Sequence, residues 1–385
     1  LMEFFAADGY ETESDEDTPL PPPPLSTPPL APADLGPLAG VDLGDLGARL
    51  QRDGYRVWRE AVDAAYVAEL RGEVELLFEQ QMMEASRNNL AVERDARGKV
   101  TRGHLLGKRG VHELDVVYEG AVAAPCGAIA LALCPAIRRF VDTIGPRLAT
   151  QLTAAFPELC LSGIDTVKVQ LNEGGAAPGS KAGAGRCFPM HYDTSSSFSR
   201  RAVTLLIYLN EGWSEGVDGG ELRIYPFPFD HVDVAPEAGT AALFAATETL
   251  HRVMPSAARR LCLSVWFASS AEAPPRDLLY PTVAAVRDAV AAAARPALAP
   301  LLPFLTTRTG RRMVAKVRHR AAYTASFLDA FGDIEEVREA LAVDARETDA
   351  AEGVLGAEIV RLLRSETHLL PLPNCCGGLR YAVTK

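Results

Sequence analysis

The chain of 385 residues contains no apolar run of about 18 residues, the length a membrane-spanning helix needs. Basic residues are in the minority, and the formal net charge of −11 removes the general electrostatic reason to expect nucleic-acid binding. The seven cysteines (Cys126, Cys134, Cys160, Cys187, Cys262, Cys375 and Cys376) show no CxxC and no paired spacing. An odd, scattered set in a chain this long reads as reduced thiols, not as a disulfide framework. The first ten residues lack the basic start of a signal peptide and carry Glu3 and Asp8. These absences favour a cytoplasmic or nuclear protein with neither a membrane nor a nucleic acid as partner. A start at Leu1 leaves an upstream segment open, and nothing indicates an oligomeric state.

Hydrophobic residues make up 48% of the chain, enough for a substantial core. They are not evenly spread. Residues 1–37 hold an acidic run (Glu11, Glu13, Asp15, Glu16, Asp17) and then a string of prolines, which cannot bury a core and favours extended, disordered chain. From about residue 38, apolar residues recur at helical spacing, as in Tyr66, Val67, Leu70, Val74 and Leu77, and again from Ile137 to Leu152. The period then changes to two. Asp165–Asn172, Ala202–Asn210, Gly219–Tyr225, Ala241–Phe244 and Leu261–Phe267 read as short strands joined by turns rich in glycine and proline. The pattern predicts an antiparallel barrel or jelly roll preceded by helices. After residue 270 helical sequence returns, with a basic cluster from Arg308 to Arg320 followed by an acidic stretch. Three parts result: a tail (1–37), a central domain (38–270, barrel about 160–270) and a helical C-terminal extension (271–385).

Chemistry concentrates in an ordered set. His191 and Asp193 lie two residues apart, so on a strand their side chains point the same way. His251 follows 58 positions after Asp193, and Arg260 nine positions later. Two imidazoles and one carboxylate hold a metal from one face and leave its other positions open, which suits non-haem Fe(II). Arg260, Cys262, Ser264 and Trp266 share one face of the last strand, so Arg260 is expected to enter the same cavity and to anchor a carboxylate beside the metal. The remaining histidines, His104, His112, His231, His319 and His368, are read as structural or surface residues.

In these residues the chain resembles the Fe(II)/2-oxoglutarate-dependent dioxygenases, prolyl 4-hydroxylase-like branch. The likeness covers about residues 40–270. It rests on His191-Tyr192-Asp193, the strand ending Tyr208-Leu209-Asn210, the run Gly219 to Ile224, His251-Arg252-Val253, and Arg260 through Trp266. The resemblance implies an α+β fold with a double-stranded β-helix (jelly-roll) core backed by the N-terminal helices. It implies His191, Asp193 and His251 as iron ligands, with Arg260 and Tyr208 on the far carboxylate of 2-oxoglutarate and Ser264 beside them. It implies Fe(II), 2-oxoglutarate and O2 as reaction partners, ascorbate as reductant, and a prolyl residue of a peptide or protein as substrate. One departure stands out: Leu171 occupies the place where the family carries a tyrosine that contacts the co-substrate. The Gly174–Arg186 insert before the ligands reads as either a lid or a plain surface loop. Two other readings remain: hydroxylation of another side chain or a small molecule, and a metal-free barrel serving as an interaction module.

Overall fold

The computed structural model describes residues 32–94, 100–175, 185–193, 200–226, 229–270, 279–292 and 296–365. Residues 1–31, most of the Gly174–Arg186 insert, His368 and Cys375-Cys376 lie outside them. The chain runs α1 (Leu46–Asp53), β1 (Tyr55–Trp58), α2 (Ala64–Glu79), β2 (Glu84–Arg94), β3 (Val100–Tyr118), β4 (Ala121–Val122), α3 (Cys126–Leu133), α4 (Pro135–Arg139) and α5 (Gly145–Ala155). The strands β5 (Leu161–Asn172), β6 (Phe188–His191), β7 (Arg201–Tyr208), β8 (Leu222–Ile224), β9 (Val232–Val234), β10 (Ala241–Ala245), β11 (His251–Val253) and β12 (Arg260–Ser269) follow. Six helices close the described chain: α6 (Val283–Ala292), α7 (Leu302–Leu305), α8 (Arg308–Arg318), α9 (Arg320–Phe331), α10 (Glu335–Leu355) and α11 (Ala357–Arg364).

The strands form two antiparallel sheets. The larger has the order β1-β10-β7-β12-β5-β3-β2, with β4 beside β3, and the smaller has the order β6-β11-β8-β9. Side-chain alternation along the central strands divides the interior. On β7, Val203, Leu205 and Ile207 face the helices, while Leu206 and Tyr208 face the second sheet. Leu261, Leu263, Val265 and Phe267 of β12 join the first layer, and Cys262 the second. The first layer is closed by α1, α2, α4 and α5. Helix α2 begins at Asp63, whose carboxylate accepts the amides of Ala65 and Tyr66. It buries Tyr66, Val67, Leu70, Val74 and Leu77 along one stripe. The helical stretch expected from Ile137 to Leu152 is interrupted by a π turn at Phe140–Ile144 between α4 and α5.

Two findings differ from the expected outline. The end of the stretch read as a tail is packed: Leu35 sits in the main core, beside Leu38 at the start of the domain. The long β2–β3 hairpin had no strand signal, because Arg, Asn, Glu, Lys and the glycines at 103, 107 and 110 interrupt any alternation. The helices after residue 278 are built onto the sheets. Phe327, Ala330 and Phe331 of α9 pack with Leu90 of β2 and Cys187, and Ala315 of α8 packs with Met190, Tyr225 and Leu250. Ser326 Oγ accepts the Met190 amide at 2.9 Å, and Arg252 pairs with Asp329 at 2.8 Å. The basic cluster is met by acidic groups, Lys316 by Asp344 and Glu347 and Arg320 by Asp349. No helix among the described residues is long and apolar enough to cross a membrane.

Leu263, fully buried between helices and sheet, tests the main layer. Leu263→Ala is expected to destabilise the protein by about 2–5 kcal/mol, read as a lower denaturant midpoint at unchanged slope.

Candidate metal centre

The pairing of β11 with β6 sets His251 directly opposite His191. Their rings lie 4.4 Å apart between centroids. Asp193, just past the end of β6, turns its carboxylate toward both: Oδ1 is 3.5 Å from His191 Nε2 and 3.6 Å from His251 Nε2. One ligand atom from each of the three lies within 4.8 Å of the others, and among the described residues this is the one such group of three or more potential ligands.

The tautomers follow from the partners. His191 Nδ1 is 2.7 Å from the Pro189 carbonyl and His251 Nδ1 is 3.0 Å from the Thr249 carbonyl. A carbonyl only accepts, so each Nδ1 carries the proton and each Nε2 offers its lone pair inward. Thr204 of β7 donates its hydroxyl to Asp193 Oδ2, which leaves Oδ1 for the centre. Burial alone would raise the Asp193 carboxyl, but positive charge on His251 and His191 when they are protonated, together with the Thr204 hydroxyl, outweighs it and holds the group well below the usual range; a metal cation would take the place of that charge beside neutral imidazoles. Burial pushes His251 down to about 4 against the pull of Asp193. Two neutral imidazoles and one carboxylate, held by hydrogen bonds on their outer atoms, are the donor set a divalent cation needs.

The cluster opens into a cavity of about 200 Å³ that also receives Arg260, Ser264, Gln170 and Lys168. Arg260 is 1% exposed, and its Nε donates to the Gly220 carbonyl at 2.9 Å. Gly220 is required there: its φ is +70°, and a Cβ would lie 3.0 Å from Arg260 Cδ and 2.9 Å from Ser256 Oγ. Asn210 fixes the start of β12 by accepting the Leu261 amide at 2.6 Å and donating to the Pro236 carbonyl at 2.7 Å. Ser264 lines the cavity and donates to Gln170 Oε1 at 2.9 Å. Tyr208 stands behind Arg260, whose guanidinium lies 5.1 Å from the centre of the tyrosine ring. Its buried hydroxyl makes no normal hydrogen bond among the described residues. A carboxylate arriving at Arg260 would give that hydroxyl an acceptor, so the residues present fit a dicarboxylate.

Strand parity corrects the reading of Leu171. It is fully buried and faces the helices, in the main core, so it marks no co-substrate position. The neighbouring residue Gln170 is the one β5 turns into the cavity. The basic and polar residues Lys108, Glu113 and Lys168 also line it, and the sequence reading missed all three because they lie on the irregular β3 or alternate on β5 without a motif. Arg259 points away, over the Phe78 ring at 5.1 Å. The other described histidines pair elsewhere: His104 with Glu339, His112 with Glu173 and His231 with Asp230, while His319 packs on Tyr225.

A second cavity, about 550 Å³, adjoins the first and shares Asn88 and His191 with it. One wall is β2 (Asn88 to Val92), and the other is built by Arg312, His319, Tyr323 and Phe327 of the C-terminal helices and by α10. Arg312 lies 4.6 Å over the ring of Tyr192, the residue between the two ligands on β6 and its exit.

Residues 179–268 match the family profile of the 2OG-Fe(II) oxygenase superfamily. The chain is 32% identical over 74 residues to a Caenorhabditis elegans hypoxia-inducible factor prolyl hydroxylase, covering 19% of this chain and 10% of that protein. It is 33% identical over 92 residues to prolyl hydroxylase EGLN3 of Mus musculus, covering 23% of this chain and 38% of that one. The aligned stretches thus span well under half of these relatives. A solved prolyl 4-hydroxylase structure from Phytophthora capsici superposes with a TM-score of 0.58 over 87% of this chain and 94% of that one, at 22% identity, which is a likeness of fold. The part of the chain that carries the cluster and Arg260 is similar to the 2OG-Fe(II) oxygenase superfamily, and prolyl hydroxylases are among the proteins it resembles.

Thr204 gives a test that leaves the three ligands in place. Thr204→Val is expected to weaken divalent metal binding about 10- to 100-fold, measured by competition with a chromophoric chelator.

Proposed function

We propose that the chain is an Fe(II)- and 2-oxoglutarate-dependent dioxygenase that hydroxylates a prolyl residue in a peptide or protein. The observation that carries this reading is the single cavity holding His191, Asp193, His251 and Arg260 together. The two facing antiparallel sheets support a double-stranded β-helix core. Residues 38–270 are assigned as the oxygenase domain, 1–37 as a proline-rich tail and 271–385 as the helical extension.

In this reading His191, Asp193 and His251 hold Fe(II) from one face. Bound iron supplies the redox chemistry: with 2-oxoglutarate and O2 it couples decarboxylation of the oxo acid to hydroxylation of a C–H bond, giving succinate, CO2 and the hydroxylated product. The protein's own groups bind and orient. Arg260 pairs with the far carboxylate of the co-substrate through its planar fork. Tyr208 donates its otherwise unmatched hydroxyl to the same carboxylate. Ser264 holds the Gln170 side chain at the cavity wall. Leu206, Leu222 and Val253 give that wall an apolar lining that limits water. Ascorbate serves as the reductant that restores Fe(II) after uncoupled turnover.

The peptide substrate is supported by the larger cavity. Its volume falls within the range that encloses a sizeable ligand, and it meets the metal cavity at His191. A chain lying between β2 and the C-terminal helices would bring one residue to the metal. Prolyl specificity is supported by the named activities of the relatives.

The deciding measurement is succinate formation from 2-oxoglutarate by anaerobically iron-loaded protein exposed to O2. Succinate is expected from the wild type and at least 100-fold less from His191→Ala, after which a proline-containing peptide panel is expected to yield products 16 Da heavier. Folded, iron-loaded protein that makes no succinate would refute the reading.

A further inference from the structure

The cavity wall carries a cation that neither the metal site nor the Arg260 contact uses. Lys108 enters from β3, which is separated from the β12 of Arg260 by β5 alone. It is 5% exposed. Its ammonium donates to Ser86 Oγ at 2.7 Å and lies 4.6 Å from the centre of the Phe188 ring. An ammonium has three hydrogens to donate. One is used by Ser86 and one side is turned to an aromatic face, which leaves a donor for the cavity.

The neighbouring lysine is in a different state. Lys168 pairs with Glu113 at 3.1 Å and with Asp115 at 3.6 Å. Glu113 is therefore already engaged, and it acts on Lys108 through charge without an ion pair. A buried ammonium held by a hydroxyl and a ring is poorly compensated for its lost hydration. Burial, opposed by Glu113, pushes the amine down to about 8. An apolar side chain of the same length would fill the space against Phe188 without that penalty. The lysine makes physical sense if an anion enters the cavity.

We propose that Lys108 is a second cationic contact for the dicarboxylate co-substrate, donating from β3 to a carboxylate oxygen while Arg260 holds the molecule from β12. The inference rests on the oxygenase reading above. It makes Lys108 a residue that sets co-substrate affinity, and it identifies the ligand by its chemistry: a dicarboxylate, for which Lys108, Arg260 and the His191, Asp193 and His251 cluster line one cavity of about 200 Å³.

The test is calorimetric binding of 2-oxoglutarate to the full chain loaded with redox-inert Zn(II). Lys108→Met is expected to raise the Kd at least tenfold. The wild-type Kd is expected to rise as pH goes from 7 to 9, because binding needs the protonated amine, while the variant's Kd stays flat over that range. The groups that act on Lys108 do not mimic this: Cys187 is pushed up to about 12 by burial, Glu113 is held low by Lys168 and Lys108, and Lys168 is ion-paired. The ligand-free, zinc-loaded variant is expected to melt no lower than the wild type, since a methionine replaces a buried charge. A variant that binds within twofold of the wild type, with the same pH dependence, would overturn the role of Lys108 and leave the oxygenase reading standing. Zinc-loaded wild type that binds no 2-oxoglutarate would overturn both.

Discussion

Everything at the site depends on the register of β11 against β6. That antiparallel pairing sets His251 across from His191, and a slip of one residue would turn one imidazole to the other face of the small sheet. The strand β11 is three residues long and fully buried, with β8 on its other edge. Its register is therefore held from both sides. The hydrogen bonds from each Nδ1 to a carbonyl two residues earlier then set ring rotation from the same backbone that sets the pairing. The geometry of the cluster is thus a property of the sheet, and Thr204 on the opposite sheet orients the Asp193 carboxylate.

The larger sheet supplies what the smaller lacks. Its strands alternate between an apolar face toward the helices and a mixed face toward the cavity. Arg260, Ser264 and Trp266 come from β12, Lys168 and Gln170 from β5, Lys108 and Glu113 from β3. The polar groups on that inner face are linked to one another: Ser264 to Gln170, Lys168 to Glu113, Lys108 to Ser86. Such linkage keeps buried polar groups from standing unsatisfied. Among the described residues the Tyr208 hydroxyl behind Arg260 and the Trp266 Nε1 on the cavity wall have no hydrogen-bond partner.

The C-terminal helices give the site its outer wall. Their ion pairs and hydrogen bonds reach residues beside the two histidines: Arg308 to Glu248, Arg312 to the Thr247 carbonyl, Ser326 to Met190 and Asp329 to Arg252. A segment that looked appended in the sequence is in contact with the residues flanking both histidines. The basic cluster there is part of this packing and is answered by the acidic helix α10.

Much was legible in the chain itself. Period-two alternation marked β5, β7, β10 and β12, and side-chain parity within β12 placed Arg260 in the cavity, because a strand repeats every two residues whatever surrounds it. The group His191, Asp193 and His251 was readable as a candidate from residue type and order, since few combinations of imidazole and carboxylate suit an open metal site, and the fold brings the three together. Three things required the folded molecule. The β2–β3 hairpin has no clean alternation, because one of its faces meets polar cavity and the C-terminal helices instead of a uniform core. Leu171 faces the helices and Gln170 the cavity, a difference of one residue that motif alignment alone does not resolve. Lys108 lies 83 residues before His191 in the chain, and only strand pairing across β3, β5 and β12 brings it to the same cavity. Local pattern determines which residues can share a face, whereas which faces meet is decided by long-range packing.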